Sequence, residues 1–143
     1  MILGTDILLK LVKEQNLVEN LSDRELTNPE GAGFDFRIGE LFRIKGSAFL
    51  GIDERQTPEI EAVAKHENGK SISHVIKPGE FYLAKTIEKV NTPENITINF
   101  KPRTTTFRSG LHIRTGNVAP GYKGELIFGI KNSCRHYRYS FYY

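Results

Sequence analysis

The sequence reads as a mainly β protein, a sandwich or jelly roll with one leading helix, on three observations. Short runs of apolar–polar alternation recur from residue 34 onward, Pro–Gly pairs punctuate them, and only the first fifteen residues carry helical spacing. In the opening "MILGTDILLKLVKEQ", Thr5 can cap a helix that places Ile7, Leu8, Leu11 and Val12 on one face. A turn cluster at 28–33 follows. Alternation then predicts strands over "FDFRIG" (34–39), "LFRIKG" (41–46), "GEFYLAKTIEKV" (79–90), "ITINF" (96–100), "GLHIR" (110–114) and "GELIFGIK" (124–131). Pro78-Gly79 and Pro120-Gly121 mark turns. The polar stretch 52–72 reads as an irregular excursion between strands.

Composition narrows the class of function. With 38% apolar and 26% charged residues over 143 positions, the chain suits one compact domain, 1–143. No apolar run approaches the ~20 residues that span a bilayer, and acids and lysines interrupt the N-terminal apolar positions, so neither a membrane span nor a signal peptide is expected. Cys134 is the only cysteine, which excludes a disulfide framework or a Cys-based zinc site and points to a reducing cytoplasm. The net charge of +3 is uneven. Residues 133–143, "SCRHYRYSFYY", hold Arg135 and Arg138 and no acid, leaving 18 basic against 17 acidic residues elsewhere. The body is near neutral and carries no strong nucleic-acid signal; the tail reads as a frayed end or a subunit contact rather than a base-stacking surface.

Several chemistries drop out. The four histidines (66, 74, 112, 136) lack metal-ligand spacing. "GKS" at 69–71 has Ala64 where a P-loop needs Gly, and no strand leads into it. Nothing around Cys134 supports a nucleophile. What remains is "KPRTTTFRSGLHIRTGNVAPGYKGE" (101–125), whose only acid is Glu125. Arg103 followed by Thr104 and Thr105 offers a planar guanidinium, hydroxyls and backbone N–H groups to phosphate oxygens. The same residues also read as β-prone surface sequence, and the physics alone leaves both readings open.

Ordered motifs across nearly the whole chain resemble the deoxyuridine triphosphatase/deoxycytidine triphosphate deaminase superfamily. "MILGTDILLKLV" is similar to the deaminase-branch opening, and "GFDFRIG" (33–39) to a motif ending Asp-Leu-Arg-Leu-Gly. "PGEFYLAKTIEKVNTPENI" (78–96) resembles Pro-Gly-Glu-Phe followed by Thr-x-Glu and Pro. "PRTTTFRSGL" (102–111) and "VAPGYKGEL" (118–126) resemble Gly-Arg-Ser-Ser-Leu-Ala-Arg-Leu-Gly-Leu and Ile-Asp-Pro-Gly-Tyr/Phe-x-Gly-Glu.

The resemblance implies a distorted jelly roll, a homotrimer with sites at subunit interfaces, and a pyrimidine deoxynucleoside triphosphate chelated by Mg²⁺. It implies phosphate binding by Arg103, Thr104 and Thr105. Arg108, with His112, Asn117 and Tyr122 on and beside a 111–118 hairpin, would face base and sugar. The expected activity is hydrolysis of dUTP to dUMP and pyrophosphate; the alternatives are a nucleotide-binding or regulatory homologue without catalysis and a dCTP deaminase.

Two departures bear on chemistry. The triphosphatase Asp falls on Ala119 and the deaminase Glu on Gly129, and neither residue can move a proton, so no catalytic residue is assigned and turnover is expected to be weak. The family's last strands have no counterpart in 133–143, which predicts uncovered sheet edges.

Overall fold

The computed structural model of the chain describes residues 1–67, 70, 73–134 and 139–142. The chain packs as two compact units. One comprises residues 1–37, 86–100 and 116–126; the other comprises 38–85, 101–115 and 127–143. In chain order the elements are α1 (Thr5–Gln15), β1 (Val18–Glu19), α2 (Asp23–Thr27), β2 (Ile38–Lys45), β3 (Phe49–Leu50), β4 (Arg55–Gln56), β5 (Glu59–Lys65), β6 (Ser73–Ile76), β7 (Phe81–Asn91), β8 (Ile98–Asn99), α3 (Thr104–Arg108), β9 (Leu111–Arg114), β10 (Asn117–Val118), β11 (Lys123–Asn132) and β12 (Tyr139–Tyr142). No helix among the described residues is long and apolar enough to cross a membrane.

The second unit holds β5, β2, β9 and residues 81–85 of β7 and 127–132 of β11, within a sheet of strand order β5-β2-β7-β11-β9. Their inward residues Leu41, Tyr82, Ala84, Leu111 and Ile130 form the core with Ile76 of β6, and Ile38, Val63, Ala64 and Ile113 pack against it. β12 pairs antiparallel with β6, and β3 with β4. The turn before β7 uses Gly79 at φ +82, a left-handed position that glycine reaches without strain. The buried Asn132 holds that turn, its carbonyl accepting from Gly79 N–H at 2.8 Å and its Nδ2 donating to the Ile76 carbonyl at 3.0 Å.

In the first unit, β1 lies along the far half of β7, with Val18 opposite Val90. β10 pairs with β8. β7 alternates buried and half-buried along ten of its eleven residues, and its inward face turns polar at Thr86 and Glu88. Each of these polar groups is matched, as burial demands. Thr86 Oγ1 donates to the Glu88 carbonyl (2.7 Å) and accepts from Leu126 N–H (3.0 Å). The carboxylate of Glu88, fully buried, accepts from Arg37 Nε at 2.7 Å and from Arg37 N–H at 2.8 Å. Arg37 Nη2 donates onward to the Asn20 carbonyl at 2.5 Å.

The mainly β class and the leading helix hold, with several local corrections. Gly4, not Thr5, is the N-cap of α1; Thr5 is its first residue and donates its hydroxyl to the Gly31 carbonyl. Residues 34–37 are not a strand although Phe34, Phe36 and Ile38 alternate. The N–H groups of Asp35 and Arg37 go to the carboxylates of Glu25 (3.0 Å) and Glu88 instead of a ladder. The stretch 52–72 contains β4 and the seven-residue edge strand β5, where Ile60 and Ala62–Ala64 stand between Glu59, Glu61 and Lys65 and where Val63 and Ala64 pack on the core. α2 is a helix the strand pattern concealed, although Ser22 and Glu25 stand at capping-box spacing; Ser22 Oγ accepts from Glu25 N–H. The tail is not simply frayed, because Tyr139–Tyr142 pairs with β6 and covers that edge. Gly69 and Ser71 of "GKS", His136, Arg135 and Arg138 lie outside the described residues.

Two predictions follow from this packing. Arg37→Met leaves a buried carboxylate without its counter-charge and should lower the unfolding free energy by roughly 3 kcal/mol, the low end for a broken buried pair because Arg37 is half exposed. Adding Glu88→Leu should recover most of that loss, as read from denaturant midpoints. The second concerns acid. Burial raises the Glu40 pKa, but hydrogen bonds and charges from Lys85 (3.1 Å) and Lys65 (3.3 Å) outweigh it and hold the group below its ordinary 4.5. Its folded pKa being depressed, its contribution is complete above the ordinary value and is lost as pH falls through the folded one. Stability should therefore drop below about pH 4.5, and Glu40→Gln should flatten that drop in denaturant midpoints measured between pH 6 and 3.

Candidate functional site

The residues expected to grip phosphate lie at the start of a helix rather than in an open loop. Arg103 is the N-cap of α3, with extended backbone (φ −62, ψ 148), and its carbonyl accepts from Thr106 N–H at 2.9 Å. Thr104 and Thr105 occupy the first turn, where helix geometry leaves N–H groups without intrahelical partners. Three β-branched residues disfavour a helix interior, but a first turn tolerates them. Gly110, at φ +80, ends the segment; the sequence reading missed α3, which only this stop signal and Pro102 before the cap could have marked. Arg103, Thr104, Thr105 and Arg108 are all exposed. Residues 101–124 contain no acid and five lysines and arginines, so the local field favours an anion.

The expected base-reading hairpin is not one. β9 pairs with β11, setting His112 opposite Lys131 and Arg114 opposite Gly129, whereas β10 pairs with β8, setting Asn117 opposite Asn99. His112 and Arg108 therefore belong to one unit, and Asn117 and Tyr122 to the other. All four are exposed. The alternating pattern of 111–118 specifies two strands but not which partners they choose.

After β10 the chain reverses through Ala119-Pro120-Gly121-Tyr122, closed by Tyr122 N–H to the Ala119 carbonyl (3.3 Å). Gly121 has φ +76, the glycine position of a type II turn with Pro before it. The segment after β7 is fastened to this turn by two backbone bonds, Gly121 N–H to the Thr92 carbonyl (3.0 Å) and Thr92 N–H to the Tyr122 carbonyl (2.9 Å). That fastening brings in a residue that sequence reasoning missed. A Cβ on Gly121 would lie 2.7 Å from Oε1 of Glu94. No motif marks Glu94, an exposed acid after a proline; only the fold places it there. Glu125 is engaged with Lys89 at 3.6 Å.

Gly129 is buried on β11, and its missing side chain is replaced by an aromatic ring. A Cβ there would stand 2.7 Å from Cζ and 2.9 Å from Cε2 of Phe81, and 3.5 Å from Cβ of Arg114. Among the described residues no group of three His, Cys, Asp or Glu could hold a metal ion. A shallow concavity of about 420 Å³ lies at Pro78, Gly79 and Lys131 to Cys134, and none of the seven expected site residues lines it.

Comparison with known proteins gives a consistent assignment. Residues 2–137 match the family described as "DCD: dCTP deaminase-like". A "dCTP deaminase, dUMP-forming" of Dictyoglomus thermophilum is 28% identical over 140 residues, covering 94% of this chain and 71% of the relative. A "probable deoxyuridine 5'-triphosphate nucleotidohydrolase" of Methanothermobacter thermautotrophicus is 30% identical over 123 residues, covering 85% and 77%. The crystal structure of 2'-deoxycytidine 5'-triphosphate deaminase from Agrobacterium tumefaciens superposes with a TM-score of 0.69 at 16% identity, a likeness of fold covering 96% of this chain and 43% of that one. Carrying the family's motifs in order on the family's β fold, the chain belongs to the dCTP deaminase-like family of the dUTPase/dCTP deaminase superfamily.

Proposed function

We propose that the chain binds the Mg²⁺ complex of a pyrimidine deoxynucleoside triphosphate and hydrolyses dUTP weakly to dUMP and pyrophosphate. The observation that carries this reading over deamination is the ring of Phe81 against Gly129. Attack on the pyrimidine ring requires a group that shuttles protons at the base, and the strand position that resembles the family's Glu has no side chain and lies under the Phe81 ring. The phosphate end is intact by contrast. Arg103 supplies a guanidinium, Thr104 and Thr105 supply hydroxyls and helix-start N–H groups, and the surrounding segment is free of acids. Arg108, His112, Asn117 and Tyr122 are the base and sugar side of the same reading. Their exposure in a single chain suits a homotrimer in which a neighbouring subunit completes each site. A cytoplasmic setting, where nucleotide pools are turned over, belongs to it too.

A second reading, binding without turnover, is favoured by Ala119, which leaves the turn without an acid of its own. The two are separated by incubating the chain with Mg²⁺ and dUTP or dCTP while following pyrophosphate and ammonia. Slow pyrophosphate release from dUTP with no ammonia from dCTP is expected; ammonia release would overturn the hydrolase assignment. Arg103→Ala should weaken dUTP binding by ~1.5–3 kcal/mol, the range for a charge-assisted hydrogen bond, with the thermal midpoint little changed. Equal affinities by calorimetry would remove Arg103 from the site.

A further inference from the structure

We propose that the open face of the sheet in the second unit binds single-stranded nucleic acid, its bases stacking on Phe81 and its phosphates meeting Arg114, Lys131, Lys85 and Lys65. The inference goes beyond the nucleotide reading above and does not depend on it. Every residue it uses belongs to the second unit. Alternation sorts the strands into two faces. Leu41, Tyr82, Ala84, Ile113 and Ile130 turn to the core, so their neighbours Glu40, Phe81, Lys85, Arg114 and Lys131 turn away from it. Contacts across the strands agree. Lys85 Nζ reaches Glu40 at 3.1 Å and lies 5.7 Å from the centre of the Phe42 ring. Lys65, directly opposite Glu40, reaches the same carboxylate at 3.3 Å. Phe81 and Arg114 both approach position 129, where a Cβ would stand 2.7 Å from the ring and 3.5 Å from the arginine Cβ.

Three observations carry it. The first is charge. On the strands of this face Glu40 is the one acid among the described residues, because Glu59 and Glu61 stand opposite Lys45 and Arg43 on the other side. Arg114 and Lys131 are exposed and make no side-chain hydrogen bond or ion pair among the described residues. The second is an aromatic surface. Phe81 is 38% exposed, and its ring reaches over Gly129, where no side chain stands up to screen it. A ring of this kind beside an arginine can stack any base while the guanidinium meets the phosphate. The third is spread. Arg114 on β9 and Lys65 on β5 are four strand spacings apart, about 19 Å, a span that one triphosphate cannot bridge and a run of nucleotides can. A second copy laid face to face would set these cations against their like, whereas a phosphate chain complements them. A duplex would meet the cations but hide its base faces from Phe81.

The experiment uses the whole chain and a fluorescently labelled thymidine oligonucleotide of about 12 nucleotides, a length a small β domain can cover, and follows anisotropy. A duplex of the same length and a poly-glutamate of equal charge serve as comparisons. Wild type should bind the single strand more tightly than the duplex, with an affinity that falls as salt rises. Arg114→Gln with Lys131→Gln should reduce the slope of log K against log salt by about 1.4, since each phosphate contact on a single strand contributes ~0.7. Phe81→Leu should weaken binding roughly tenfold with the slope unchanged, and Phe81→Tyr, which keeps a ring, should stay within threefold of wild type. Loss of the fold would abolish binding in all variants alike and show in their thermal midpoints, so this split separates stacking from packing. No saturable binding at about 50 mM salt would overturn the proposal. So would a duplex bound as tightly as the single strand, or poly-glutamate displacing the label as well as the unlabelled strand does; either would make the face a general polyanion or acidic-protein surface. Wild-type affinity in Phe81→Leu, or an unchanged slope in the double variant, would equally overturn it.

Discussion

A fully buried carboxylate in the middle of a β-strand is tolerable only if its charge and lone pairs are met, and Glu88 is met by one residue twice. Arg37 gives it a guanidinium N–H and a backbone N–H, so the same contact neutralises the charge and fixes the path of the chain at residue 37. The next residue begins β2. Glu25 does the equivalent for Asp35, with Arg24 bridging Glu25, Glu30 and Asp35 at 3.4, 2.8 and 3.2 Å. Residues 35–37 are thus held by acids reaching in from α2 and β7. A sheet ladder would have set their direction by register; here it is set by the positions of two carboxylates. An apolar residue at 88 would fill the volume but lose the anchor that aims the chain into the sheet.

How much of this was legible in the sequence varied with where each signal was stored. β7 and β11 announced themselves because alternation reports a face buried along its whole length, and the two Pro–Gly turns because glycine after proline has few other uses. β5 was hidden because Ala62, Val63 and Ala64 run together among charged neighbours, so the strand does not alternate. Residues 34–37 misled for the opposite reason: they alternate, yet the deciding partners, Glu25 and Glu88, are 10 and 51 residues away. The threonines of α3 argued for strand by propensity, and the signals at Pro102 and Gly110 outweighed them.

The candidate site shows the same division. Arg103, Thr104 and Thr105 were readable because contiguity alone brings them together. The pairing of β9 with β11 and β10 with β8 was not, since period-two sequence fixes faces but not partners. Glu94 carried no mark at all: 27 positions separate it from Gly121, and backbone bonds, which have no residue signature, close that distance. Gly129 could be seen to lack a carboxylate, but what stands in its place is known only from Phe81.

The fit of Phe81 to Gly129 also constrains how this chain can change through descent. A Cβ at 129 would stand 2.7 Å from the tip of the Phe81 ring, so a larger residue there requires that ring, which is 38% exposed, to swing aside. Shrinking Phe81 first would open a gap over a buried glycine and expose bare backbone, with no gain until the second change arrives. The two positions are therefore coupled: what position 129 can hold depends on where the Phe81 ring stands, and the reverse.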